Sequence, residues 1–147
     1  MKITILAVGK LKEKYLTEAM AEYLKRLTPF TKMEVKEVPE QRTVEEETER
    51  LIAGIPEHSY VILLDTQGKE ISSPELAEKI DKLTVAGISH ICFVIGGAFG
   101  FTDILRQRAD FCWSFSPLTF THQMIRVILA EQIYRAFKIS RGEKYHW

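Results

Sequence analysis

Apolar and polar positions alternate between two periods along this chain, and the changes mark out its elements. Residues 3–8, Ile-Thr-Ile-Leu-Ala-Val, read as a first strand. A helix over residues 12–27 follows, with Leu16, Ala19, Met20, Tyr23, Leu24 and Leu27 on one face at three- and four-residue spacing. Pro29 stops it. A short strand at 33–38 precedes Thr43 and Glu46, whose spacing is that of a capping box. The helix they open ends near Gly54 and Pro56, and its acidic run of Glu45, Glu46, Glu47 and Glu49 reads as a solvated face. Residues 60–64 are continuously apolar, as expected of a strand covered on both sides in a parallel sheet. Ser72, Ser73 and Pro74 start a helix to about Leu83, which Gly87 closes. Residues 91–95 repeat the buried-strand pattern, and a short helix at 103–109 leads to a strand at 111–115.

The last helix, over 121–139, differs from the others. Ile125, Ile128, Leu129, Ile133 and Phe137 form one apolar face, and Met124, Val127 and Tyr134 thicken a second. A helix apolar over so much of its circumference needs two partners. One is its own sheet; the other can be a second subunit. The alternation as a whole predicts an α/β fold with a mostly parallel sheet and helices on both faces. No linker, repeat or low-complexity stretch interrupts it, so residues 1–147 are expected to form one domain.

Composition narrows the classes. With 46% hydrophobic and 27% charged residues, the 147-residue chain can build a core and is neither disordered nor fibrous. Lysine plus arginine balances aspartate plus glutamate, 20 against 20. That argues against a protein held on nucleic acid mainly by long-range attraction to phosphates, and leaves room for an RNA enzyme that reads shape. Charge is also uneven, because from residue 121 onward five Lys or Arg face two Glu. Cys92 and Cys112 sit in apolar stretches and read as buried, reduced thiols, and no metal-ligand cluster appears. The apolar run at 3–9 is too short for a signal peptide, and the longest, 91–101, falls well short of the ~20 residues that span a bilayer. A cytoplasmic protein with no membrane segment is the expectation.

In open α/β sheets, ligands bind beyond the carboxyl ends of the strands. Three such ends carry chemistry. The first runs from Leu64 through Asp65, Thr66 and Gly68 to Lys69. The second holds Gly96, Gly97 and Gly100, which permit close backbone approach but match neither a dinucleotide fingerprint nor a phosphate-cradling loop. The third is Phe115, Ser116, Pro117, Leu118, Thr119 and Phe120, an uncharged loop whose backbone suits a flat polar heterocycle. On residues alone it can equally be a stiff cap, with Thr119 or Thr121 opening the last helix. The chain closes on Tyr145, His146 and Trp147 behind Arg135 and Lys144, a group suited to stacking on an unpaired base or packing on a subunit. His58 and His90 read as surface residues, and His122 as structural.

These residues form an ordered set. Leu64-Asp65-Thr66-x-Gly68-Lys69-x-x-Ser72-Ser73 is followed by Phe93-Val94-Ile95-Gly96-Gly97-x-x-Gly100, and then by Ser114-Phe115-Ser116-x-x-Thr119-x-x-His122-Gln123-x-x-Arg126-Val127. Glu131-Gln132-x-Tyr134-Arg135-Ala136 and Tyr145-His146 complete it. In this set the chain resembles the ribosomal RNA large subunit methyltransferase H family of the SPOUT class over essentially its whole length. The resemblance implies a C-terminal trefoil knot, S-adenosyl-L-methionine as methyl donor, and a homodimer with its sites at the interface. It implies cofactor binding by Leu64, Gly96, Gly97 and the stretch from Phe115 to Phe120, and catalysis by His146, Tyr145 and Arg135. The implied substrate is N3 of pseudouridine 1915 in 23S ribosomal RNA on the assembled ribosome. Lys144 stands where the family usually has proline, and Pro117 where a more flexible residue is common. The alternatives are another SPOUT-type RNA methyltransferase, such as one acting on a transfer RNA ribose 2′-oxygen, or a non-catalytic nucleotide- or RNA-binding module.

Overall fold

The computed structural model describes residues 1–145; His146 and Trp147 lie outside the described residues. Five strands and five helices alternate: β1 (Lys2–Val8), α1 (Lys14–Leu27), β2 (Lys32–Val38), α2 (Val44–Gly54), β3 (Tyr60–Glu70), α3 (Ser73–Val85), β4 (His90–Ile95), α4 (Asp103–Arg108), β5 (Phe111–Ser114) and α5 (Met124–Ser140). The strands form one sheet in the order β2-β1-β4-β3-β5, with every pairing parallel.

Two apolar layers sandwich that sheet. Ile3, Ile5, Ile62, Ile91 and Phe93 face α1, α3 and α5, burying Met20, Leu27, Leu76, Ile80, Leu129 and Ile133. Leu6, Val61, Leu63, Cys92 and Val94 point the other way, toward Leu51 of α2 and Leu105 of α4. The division follows from handedness. Chain steps in one direction across the sheet (β1 to β2, β3 to β4) carry their helix on one face, and steps the other way (β2 to β3, β4 to β5) carry it on the opposite face. A constant right-handed crossover requires this.

Local chemistry sets the element ends. The Thr43 hydroxyl accepts the Glu46 N–H at 3.1 Å. The full reciprocal box is at Ser72, where Ser72 accepts the Glu75 N–H at 3.2 Å and Glu75 accepts the Ser72 N–H at 3.3 Å. Gly87, at φ 91°, turns the chain after α3. Thr121 rather than Thr119 holds the entry to α5, accepting the Met124 N–H at 3.1 Å.

The structure corrects two expectations. β3 does not end at residue 64 but runs on to Glu70, with a shift of register between Leu64 and Lys69 where it pairs with β5. Gly68 allows this, since a Cβ there would lie 2.5 Å from the Cys112 carbonyl oxygen. The acidic run on α2 is not wholly solvated, because Glu47 is buried beside Thr48 while Glu45, Glu46 and Glu49 are exposed. α5 packs against α1 and α3 of its own chain and keeps Met124 exposed and Val127, Ile128, Tyr134 and Phe137 half-buried. No described helix is long and apolar enough to cross a membrane.

Candidate functional site

The carboxyl ends of β4 and β5, with the middle of β3 where its register shifts, surround a cavity of about 330 Å³. Leu64, Asp65 and Thr66 line it from β3, the segment from Ile95 to Phe101 from β4, and Trp113, Phe115, Ser116, Leu118, Thr119 and Phe120 from β5 and the loop beyond. The three segments selected by sequence therefore meet at one place, the first of them within β3 rather than at its end. Of the residues expected to bind cofactor, Leu64, Gly96, Gly97, Phe115, Ser116, Leu118, Thr119 and Phe120 line the cavity. Pro117 lies within the same loop but not on the cavity wall.

At Gly96 a neighbouring turn fills the space a side chain would need. A Cβ at Gly96 would stand 3.0 Å from both the Gly100 carbonyl oxygen and the Phe101 ring. The turn itself is closed by the Gly100 N–H donating to the Gly97 carbonyl at 3.0 Å, with Gly100 at φ 77°. In the third loop the Ser116 hydroxyl accepts the Leu118 N–H at 2.9 Å, and the Ser114 hydroxyl donates to the Ser116 carbonyl at 3.2 Å. Phe93, Trp113 and Phe115 pack in series behind it with inclined rings, the last pair edge-to-face at 4.5 Å between centroids.

Sequence reasoning missed several wall residues. Arg106 on α4 donates to Asp65 at 2.7 Å, also pairs with Asp103, and lies over the Phe101 ring at 4.8 Å. Asp65 also accepts the Gln67 N–H at 3.0 Å, so both oxygens of this acidic group on the cavity wall are engaged. The Arg106 guanidinium is held above its ordinary pKa, chiefly by the hydrogen bond to Asp65. No motif marked Arg106. Trp113 could have been found, because every second residue of a strand faces the same side. His122, read as structural, lines the cavity, and Ile125 closes it from the first turn of α5. His58 is exposed at φ 63°, and His90 is half-buried with its Nε2 2.8 Å from the Thr4 hydroxyl.

Two of the three expected catalytic residues, Arg135 and Tyr145, lie away from the cavity. Arg135 pairs with Glu131 at 3.0 Å, and Tyr145 donates its O–H to Glu131, also at 3.0 Å. The Arg135 guanidinium covers the Tyr145 ring at 4.7 Å, and Tyr134 meets that ring edge-on at 4.9 Å. Burial first, then hydrogen bonds to Tyr23 and Glu131, push the Tyr145 phenol well above its ordinary pKa. Tyr145 is thus a phenol and a donor at neutral pH. None of these side chains lines the cavity, and Arg135 is about 15 Å beyond Ile125 at 1.5 Å of rise per residue. His146 falls outside the described residues.

An all-parallel α/β sheet with a ligand-sized cavity over the ends of two strands and the middle of a third, walled by backbone and aromatic rings, defines a small-molecule-binding α/β protein built without a phosphate loop. Comparison narrows this to a family. Residues 1–146 match the model for "Predicted SPOUT methyltransferase". The chain is 48% identical to the ribosomal RNA large subunit methyltransferase H of Halothermothrix orenii and 45% identical to that of Desulfitobacterium hafniense, over 99% of each chain in both cases. The chain belongs to the SPOUT methyltransferase family. Among solved structures it is similar to "a probable methylase family protein" of Haemophilus influenzae, with a TM-score of 0.55 and 16% identity. That match covers 95% of this chain and 66% of the other.

Proposed function

We propose that this protein methylates N3 of pseudouridine 1915 in 23S ribosomal RNA, on the assembled ribosome in the cytoplasm, with S-adenosyl-L-methionine as donor. The family supports methyl transfer, and the relatives named for the large ribosomal subunit support the substrate. The observation that carries the reading is the convergence of Leu64, the Gly96–Gly97 turn and the 115–120 loop on one cavity. The fit to the cofactor rests on the walls: glycine where a Cβ would strike backbone, aromatic rings for an adenine, and a buried Trp113 N–H without a partner among the described residues. Bound there, S-adenosylmethionine supplies an electrophilic methyl on a sulfonium.

The chain's own residues do the rest. Strand-end backbone orients the donor, and holding reactants in line can contribute roughly 7 to 11 kcal/mol. Tyr145, kept protonated and fixed to Glu131, positions rather than abstracts. His146 takes the imide proton, and Arg135 steadies charge on the base. Because Arg135 and Tyr145 do not line their own cavity, this division of labour calls for a homodimer in which one protomer's tail meets its partner's cavity. Phe99 and Leu118, exposed by 69% and 67% on the cavity wall, supply an apolar rim for that contact. The proposal includes a single domain and a trefoil knot formed by the segments around the cavity.

The test is transfer of labelled methyl to ribosomes lacking the modification, beside free large subunits and ribosomes without the pseudouridine. Label chiefly in assembled, pseudouridine-containing ribosomes is expected. Label in transfer RNA instead, or in none of these, overturns the substrate reading.

A further inference from the structure

Behind the cavity wall lies a buried carboxyl group that takes no part in the proposed chemistry. Glu47, in the first turns of α2, is 2% exposed; its Oε2 accepts the Gln41 N–H at 3.1 Å, and its Oε1 has no partner among the described residues. Leaving a carboxylate oxygen buried and unpaired costs stability, so the position is held against that cost by something else. The free oxygen points to the back of the cavity wall. A Cβ built on Gly97 would lie 2.9 Å from Glu47 Oε1 and 3.2 Å from Val8 Cγ1. The neighbouring Thr48 hydroxyl accepts the Thr102 N–H at 3.0 Å and is itself anchored to the Val44 carbonyl at 2.8 Å.

We propose that Glu47 is a positioning residue for the cofactor wall: with Thr48 it clamps both ends of the segment from Gly97 to Thr102, and its contact with Gly97 sets how deep the cavity is. This deepens the proposed function and rests on its placement of the cofactor in that cavity. The arrangement explains why glycine is required at 97 although its φ is unexceptional, because the space a side chain would need is taken by a carboxylate. It also explains a buried glutamate in an otherwise solvated acidic run. Sequence pattern could not separate Glu47 from Glu45, Glu46 and Glu49.

The test combines two readouts. Amide hydrogen exchange of residues 97–102 is measured in the ligand-free protein for wild type, Glu47→Gln, Glu47→Ala and the exposed control Glu45→Gln. S-adenosylhomocysteine binding is measured by calorimetry for the same set and for Gly97→Ala in both the wild-type and Glu47→Ala backgrounds. Exchange should quicken locally at 97–102 in Glu47→Ala, less in Glu47→Gln, which preserves shape, and not in the control. Gly97→Ala should weaken binding by about tenfold in wild type and by about threefold or less in Glu47→Ala, a coupling of the size seen for residues in contact. In methyl transfer the Glu47 variants should raise KM for the donor more than they lower kcat. Unchanged exchange at 97–102, or equal losses from Gly97→Ala in both backgrounds, overturns the proposal. If wild type takes up no S-adenosylhomocysteine, the cofactor reading falls, and the exchange comparison still decides the role of Glu47.

Discussion

Replacing Arg126 with methionine tests whether the start of α5 is held to the sheet by a buried cation. Arg126 is 1% exposed, and its guanidinium donates to Glu37 and to the Val8 and Gly9 carbonyls, each at 2.7 Å. It therefore ties the first turn of the last helix to the carboxyl end of the first strand, next to Ile125 on the cavity wall. Removing one partner of a buried pair costs about 3–5 kcal/mol, since what remains is left unpaired. The Glu37 side chain is 33% exposed and can turn to water, which moves the cost toward the lower end. A buried methionine returns about 1–2 kcal/mol of apolar burial. The expected net loss is about 2–3 kcal/mol, or a fall in Tm of about 5–10 °C for a domain of this size. Urea unfolding at unchanged m-value measures it directly. Arg126→Lys should lose nearly as much, because one ammonium cannot span three acceptors. A loss below about 1 kcal/mol for Arg126→Met would refute the reasoning.

Three further outcomes follow from the same geometry. Gly68→Ala drives a Cβ into the Cys112 carbonyl and the Trp113 amide, so it should part β3 from β5, cost about 3 kcal/mol or more, and weaken S-adenosylhomocysteine binding measured by calorimetry. Burial pushes the Cys92 thiol up to about 12, so it should resist alkylation at pH 8 in the native state and react at once in denaturant, as peptide mass mapping will read. Tyr145→Phe should slow methyl transfer by about tenfold or less while leaving the pH–rate profile between about pH 6 and 9 unchanged, since a phenol with a raised pKa is protonated across that range. A basic limb that moved with this substitution would make Tyr145 a base after all. The sign for stability is the same: a raised folded-state pKa favours the fold below the ordinary phenol value and withdraws that support only in strong alkali.

The fold was legible because its signals are local. Continuous apolar runs at 60–64 and 91–95, short and alternating with helical patterns, fit strands covered on both faces, and Ser72 and Gly87 punctuate a helix as helix ends require. The three cavity segments were legible for a related reason, since ligand loops follow strand ends in such sheets. What escaped were contacts between elements distant in sequence. Arg106 reaches Asp65 across 41 positions, Arg126 reaches Gly9 across 117, and neither spacing leaves a periodic trace. Glu47 was misread for the complementary reason, because a pattern of like charges does not say which member turns inward. The placement of Tyr145 on Glu131, away from the cavity, needs the helix itself before it can be seen.

The central claim is best tested by nucleoside mass spectrometry of 23S RNA after incubating modification-free ribosomes with this protein and labelled S-adenosylmethionine. The account predicts one labelled methyl on N3 of the pseudouridine at position 1915, lost on Gly96→Val and retained in Glu45→Gln. Label on a ribose oxygen, or on transfer RNA in a parallel sample, would contradict it.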